Sequence, residues 1–216
     1  MITYASITAR WVAIFTTVVV MTGCAQFQHP LSPLEEAKVD PDLLGTWVVQ
    51  YQDENGVELE AYIHIGEAGV LDPDDKDRNV RIENRQDRQA PFPYKGLTRI
   101  VCVSYEAEGK LKSESWLAFP TTIGKQRFAS VPMSQDGKVV SYYFWRYEVS
   151  NDQLKIWTDT VDEKVDSLLE KQRLTRTDSL ITNDTASLRK LLEENGGDIL
   201  FAEAPSNTLK RLKKSN

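Results

Sequence analysis

The chain has 216 residues, 41% hydrophobic and 27% charged, enough for one domain of common size with appendages. Its net charge is −6, and removing residues 1–23, whose one charged side chain is Arg10, takes it to −7. No basic stripe runs through the domain, so the balance excludes a phosphate-tracking nucleic-acid surface, which needs clustered Lys and Arg to displace counterions.

Residues 1–10 carry Arg10 and no acid, and residues 11–22, "WVAIFTTVVVMT", are apolar or small. A bilayer span needs about 20 apolar residues, so this stretch is too short to cross. Its length suits the hydrophobic region of a secretory signal. The run ends "MTGC", with small residues before Cys24. Thr22, Gly23 and Cys24 resemble the lipobox of bacterial lipoproteins, and Met21 departs from the leucine usual there. The resemblance implies a signal peptide over 1–23, diacylglycerol on the Cys24 sulfur, cleavage before it, and acylation of the new N-terminus. Acyl chains contribute about 0.8 kcal/mol per buried CH₂, and two or more make a stable anchor. Alanine at position 25, rather than aspartate, implies the outer membrane, facing the periplasm, if the host has two membranes. The alternative is an ordinary signal peptide with a chance cysteine.

Residues 24–41 are expected to be the lipidated cysteine and a flexible tether: "AQFQHPLSPLEEAKVDP" is polar and holds three prolines. Extended, it would reach about 50 Å. His29 within it is expected to be solvated.

The folded domain is expected over 42–216. "GTWVVQYQ", the turn "DENG" and "VELEAYIHI" open a series of strands, and period two places Val57, Leu59, Ala61, Ile63 and Ile65 opposite Glu58, Glu60, Tyr62 and His64. "NVRIE", "LTRIVCVSYEA", "KLKSESWLAF", "KQRFASVPM", "KVVSYYFWRYEV" and "QLKIWT" continue it, with "EAEGKL", "SQDGKV" and "SNDQL" as tight turns. Two helices follow. "TVDEKVDSLLEK" places Val161, Val165, Leu168 and Leu169 on one face, and Thr160 with Glu163 forms a capping-box pattern. "NDTASLRKLLEENGG" groups Leu188, Leu191 and Leu192, with Asn183 or Asp184 as N-cap and Gly196 as the stop. "DILF" is an apolar anchor and "NTLKRLKK" a last short strand. The expected class is mainly β (α+β): an antiparallel meander of about eight strands, able to curl into a barrel, then two helices and a short final strand.

"LLGTWVV", Leu43–Val49, resembles the Gly-x-Trp entry of lipocalins, in which the tryptophan packs across the barrel floor. Eight strands and a trailing helix agree with that family. Two features depart from it: the second lipocalin motif, Thr-Asp-Tyr, is met only by Thr158-Asp159-Thr160 after the late strands, and there are two C-terminal helices. The pattern from 45 to 213 also resembles uncharacterised lipid-anchored bacterial proteins in which a "YxFxRYEVxxDxLxIW" stretch precedes two helices and a "DxxLF" segment.

Residues for chemistry are few. His29 and His64 are the two histidines, no serine sits in a Gly-x-Ser-x-Gly elbow, and no Cys-x-x-Cys or histidine pair offers a zinc site. No cofactor is implied. If Cys24 is acylated, Cys102 in "RIVCVSY" has no disulfide partner, and its apolar strand context reads as core. "DPDDKDRNVRIE" offers Asp72, Asp74, Asp75 and Asp77 as weak calcium candidates, but Lys76 stands at a ligand position and Asp77 at the turn glycine of an EF-hand loop. The basic tail "LKRLKKSN" is a solvated end or a membrane-surface contact.

"SYYFWRYEV" is the aromatic-rich stretch, with Tyr143, Trp145 and Tyr147 facing one way and Tyr142 and Phe144 the other. It reads as a central strand whose aromatic face packs or lines a pocket. Trp116, Tyr143, Trp145, Tyr147 and Trp157 are the candidate wall, with Arg146 as a polar anchor. The leading expectation is a non-enzymatic, lipid-anchored envelope protein binding a small apolar ligand or an envelope partner. The alternatives are a structural or assembly module without ligand, and a hydrolase built on His64.

Overall fold

A computed structural model describes residues 25–52, 56, 58–68, 96–105, 110–135, 138–150 and 152–212. Period two builds its sheet as the sequence pattern predicts. In β3 (Glu58–Glu67) Ala61 and Ile65 are buried while Glu58, Glu60 and His64 are exposed. It pairs antiparallel with β2 (Gly45–Gln52), Trp47 opposite Ile63 and Val49 opposite Ala61. A one-residue slip would turn Trp47 outward and Val48 inward, so burial pins the register. The series continues through β4 (Thr98–Tyr105), β5 (Leu111–Ile123), β6 (Gln126–Gln135), β7 (Lys138–Ser150) and β8 (Gln153–Trp157), each antiparallel to the one before.

The ring closes through the end of the chain. The predicted last strand, β11 (Asn207–Arg211), lies between β8 and β2, with Leu209 opposite Leu154 and Arg211 opposite Trp47. Strands β2–β8 and β11 form a closed eight-stranded antiparallel barrel. Closure removes the free edges that an open sheet would expose. The expected strand "NVRIE" and the calcium candidates Asp72, Asp74, Asp75 and Asp77 lie outside the described residues, as do Cys24 and the leader.

Between β8 and β11 the chain builds an outer layer: α1 (Asp162–Glu170), the short hairpin β9 (Arg176–Thr177) and β10 (Leu180–Ile181), and α2 (Thr185–Asn195). Helix α2 follows its pattern: Leu188, Leu191 and Leu192 are buried, Asp184 Oδ1 accepts from Ser187 N–H at 2.7 Å, and the Gly196 N–H reaches Leu192 O at 2.8 Å. That N-terminal bond holds the Asp184 carboxyl below its usual range. Helix α1 departs from its pattern. It begins one residue later, with Val161 as N-cap and no side-chain bond, because Thr160 is still extended and bridged to Phe201; the Thr160 hydroxyl accepts from the Ala25 N–H at 3.0 Å.

That contact overturns the tether. β1 (Gln26–Phe27) pairs with β7 at Tyr142 and runs parallel to β10. Phe27 and Leu31 are fully buried, and the Phe27 ring stacks on Phe144 with centroids 4.0 Å apart. The Leu31 N–H donates to Ser130 Oγ, and the Ser32 and Thr121 hydroxyls meet at 2.6 Å. The segment then crosses Gly96 so closely that a Cβ there would lie 2.0 Å from the Ala37 carbonyl oxygen. Residues 25–43 are thus a strap, held by burial of widely spaced apolar side chains. Fully burying one such side chain stabilises by roughly 1.5–3 kcal/mol. The strap, α1, α2 and Leu200–Phe201 cover the outer face around Phe128 and Phe144.

Candidate ligand site inside the barrel

The two ends of the barrel differ. At one end lie the start of β2, the β5–β6 turn and the end of β11, and the strap crosses it. Trp47 is fully buried here, and its Nε1–H donates to Leu43 O at 2.9 Å. The Arg211 guanidinium lies over its ring, 4.1 Å from the centroid, and donates to Leu44 O and Asp42 O at 2.6 Å each. The Tyr147 hydroxyl donates to Asp40 Oδ2 at 2.8 Å, and Arg127 pairs with Asp42 at 2.9 Å and Asp40 at 3.4 Å. Burial, reinforced by the Asp40 hydrogen bond, pushes the Tyr147 hydroxyl well above its ordinary range. This end is a floor.

The opposite end receives the end of β4, the start of β5, the start of β7, the end of β8 and the start of β11. Along the whole inner wall, Tyr51, Ile63, Trp116, Met133, Trp145 and, toward the floor, Val149 are only partly buried, although they pack with the interior cluster. Strand register places Lys112, Glu114, Trp116 and Ala118 on one face of β5, opposite Ser104, Cys102, Ile100 and Thr98. Lys112 and Glu114 form an ion pair at 2.8 Å. Across the wall, Gln26 receives the Ser141 hydroxyl on Oε1 and donates from Nε2 to the Tyr143 hydroxyl, both at 3.0 Å. An apolar, aromatic wall with a few convergent polar groups suits a small apolar ligand with one polar end.

Of the five candidate residues, four share the inner wall. Trp116 and Trp145 are partly exposed within it, Tyr143 is buried beside Gln26, and Tyr147 belongs to the floor. Trp157 does not join them. It is on the outer face of β8, in the cluster with the helices, because Leu154 and Ile156 take the inward positions. Arg146 is on that outer face too, 4.4 Å over the Trp157 ring and paired with Glu148 at 2.8 Å and with Asp198. It therefore anchors the helical layer and not the barrel interior. His64 lies on the outer face with Nδ1 3.1 Å from the Thr46 hydroxyl. Cys102 is 3% exposed, and burial, aided by Glu114 against Lys112, pushes its thiol up to about 11. A thiol held protonated is a poor nucleophile at neutral pH.

Three inner residues escaped sequence reasoning. Lys112 and Glu114 were legible only as a charged strand end, since both faces of β5 mix polar and apolar residues. Gln26 gave no signal, because its strand is two residues long. Comparison with protein-family models, curated proteins and solved structures finds no match.

Proposed function

We propose that this chain is a lipid-anchored cell-envelope protein, not an enzyme, whose barrel holds a small apolar ligand. The observation that carries the reading is an aromatic inner wall that is not fully buried. One end is closed by Trp47, Arg211, Tyr147 and Asp40, and Trp116, Trp145 and Met133 of the inner wall are only partly buried. On the outer face, Phe128 and Phe144 are fully buried under the strap and helices. The Lys112–Glu114 pair and the Gln26–Tyr143 contact supply polar groups for one end of the ligand. The lipobox-like leader supplies the anchor and the envelope location.

Native mass spectrometry tests the binding reading on residues 24–216 carrying Cys24→Ala, exported behind a cleavable secretory signal and purified from the envelope. The strap must be kept, since Phe27 and Leu31 belong to the core. The expected result is a reproducible added mass that organic solvent removes. A bare chain mass that also takes up no apolar fluorophore would sink the reading and favour a structural module.

A further inference from the structure

The wall of the barrel parts between β5 and β6. Their ladder runs from Ile123 opposite Gln126 to Phe119 opposite Ser130, and among the described residues no pair of these two strands lies beyond it. β5 continues back to Leu111 on its pairing with β4, and β6 continues to Gln135 on its pairing with β7. Continued in register, the ladder would bring Trp116 opposite Met133. Both belong to the inner wall, and both are only partly buried. The strands thus form a fork flanked by an aromatic and a pliable thioether side chain, a pair suited to an apolar guest.

At the base of the fork is a hydroxyl with nothing to bond. Thr98 stands opposite Ala118, the residue of β5 next to Phe119, where the ladder to β6 ends. It shares a face of β4 with Ile100 and Cys102, which belong to the interior cluster, so its side chain points inward. Thr98 is fully buried, and its Oγ1 has no hydrogen-bond partner. The buried hydroxyls of Ser130 and Thr121 are different, since the strap meets both of them. A buried hydroxyl left unmet destabilises a fold, and native proteins keep few such groups unless a bound molecule meets them. Ala118 presents only a methyl group on that side.

The nearby charges select what could meet it. Glu67 lies opposite Thr98 on β3 and is exposed. The nearest charges on the inner faces of β4 and β5 are Glu114 and Lys112, four and six positions from Ala118 and paired with each other at 2.8 Å. Among the described residues of β3, β4 and β5, no cation shares the inner face beside Thr98. A carboxylate brought there would be buried without a partner and would face Glu67. A hydroxyl both donates and accepts, so it can serve a neutral oxygen.

We infer that Thr98 holds the inner end of the ligand at the base of this fork, and that this end is an uncharged oxygen, an alcohol or a carbonyl, on an apolar body lying between Trp116 and Met133. The inference rests on the ligand-binding reading above and names the class of ligand. The Lys112–Glu114 pair is left for the ligand's outer end.

The test uses the same Cys24→Ala chain, delipidated on a hydrophobic resin. N-phenyl-1-naphthylamine is the reporter, and 1-decanol or decanoate competes with it at neutral pH. 1-Decanol is expected to displace the reporter at a several-fold lower concentration than decanoate. Thr98→Val keeps the side-chain shape and removes the oxygen. It should weaken 1-decanol about five- to tenfold and leave the reporter and decanoate within about twofold. The melting midpoint of the empty protein should stay or rise. Thr98→Ser should recover most of the affinity for 1-decanol. If the valine protein does not fold, Thr98→Ser and Thr98→Ala differ by the same oxygen and carry the same comparison. Equal affinity for 1-decanol with and without that oxygen, on proteins that bind the reporter, overturns the contact and leaves the binding reading standing. A lowered melting midpoint beside that equal affinity would assign the hydroxyl to a buried water. Decanoate that binds better than 1-decanol, and is weakened by Thr98→Val, overturns the uncharged end. A parent protein that takes up no reporter overturns the binding reading and this inference together.

Discussion

Arg211, near the end of the chain, covers the ring of Trp47, near the start of the barrel, with its guanidinium 4.1 Å from the ring centroid. The same guanidinium reaches the carbonyls of Asp42 and Leu44, so one side chain joins β11, β2 and the strap. Gly45 makes room for it. A Cβ there would lie 2.8 Å from Arg211 Nη1, and its φ of +134° disfavours any L side chain. The Gly-x-Trp pattern thus has a physical basis in this fold. Arg211→Ala should destabilise by about 2.5–5 kcal/mol, from a cation–π contact of about 1–2 and charged hydrogen bonds of about 1.5–3. Arg211→Lys should restore less than half, since an ammonium lacks the planar fork that reaches two carbonyls. Urea midpoints of the three proteins check this, and full rescue by lysine would contradict it.

The strap gives a second prediction. Phe27→Ala removes a fully buried ring stacked on Phe144 and should cost about 3–5 kcal/mol. A chain starting at residue 40 should lose cooperative unfolding or much of its stability, because it also lacks Leu31 and the Ser32–Thr121 hydrogen bond. Thermal melts followed by near-ultraviolet circular dichroism would show it. A truncated chain that melts like the intact one would restore the tether.

Legibility in the sequence followed the range of the interactions. Alternation in β3 and the Asp184 and Gly196 ends of α2 are local signals, and each appears where its residues predict. The Thr160–Glu163 capping box did not form because Thr160 stands one residue before the cap, bridged to Phe201 and bonded to Ala25, 135 positions away. Ala25, Phe27 and Leu31 carry no period, so proline and polarity made the strap look solvated. The inner wall was half legible. Period two grouped Tyr143, Trp145 and Tyr147 correctly, and the same rule assigns Arg146 to the other face. Which face of β8 met the interior depended on its pairing with β11, across the two helices, and Trp157 was misplaced for that reason.

The two wall tryptophans should separate binding from stability. Trp116→Ala should weaken uptake of the apolar probe N-phenyl-1-naphthylamine about tenfold while shifting the melting midpoint little, since Trp116 is only partly buried. Trp157→Ala should do the reverse. It removes a buried ring under Arg146 and should cost about 3–5 kcal/mol, leaving probe affinity near that of the parent below the melt. Fluorescence titration beside a thermal melt reads both. Equal effects of the two substitutions on binding would mean that the probe does not sit in the barrel.

Alkaline pH should loosen the barrel from within. The Cys102 thiol is raised from 9.0 to about 11, with burial as the first cause, so the folded state holds its proton more tightly than the unfolded chain does. Its contribution is complete below pH 9 and is lost as pH rises from 9 through about 11. Tyr147, raised chiefly by burial and then by its bond to Asp40, adds a second loss that begins above pH 10. Urea midpoints should therefore hold steady from pH 7 to 9 and fall beyond it. Cys102→Ala should delay the onset of that fall toward pH 10, where tyrosine takes over, though it lowers stability overall by leaving space beside Glu114. Tyr147→Phe should keep the first step and lose the second. If both substituted proteins fall along the parent curve, the alkaline limb belongs to other groups, and the interior is wetter than its packing implies.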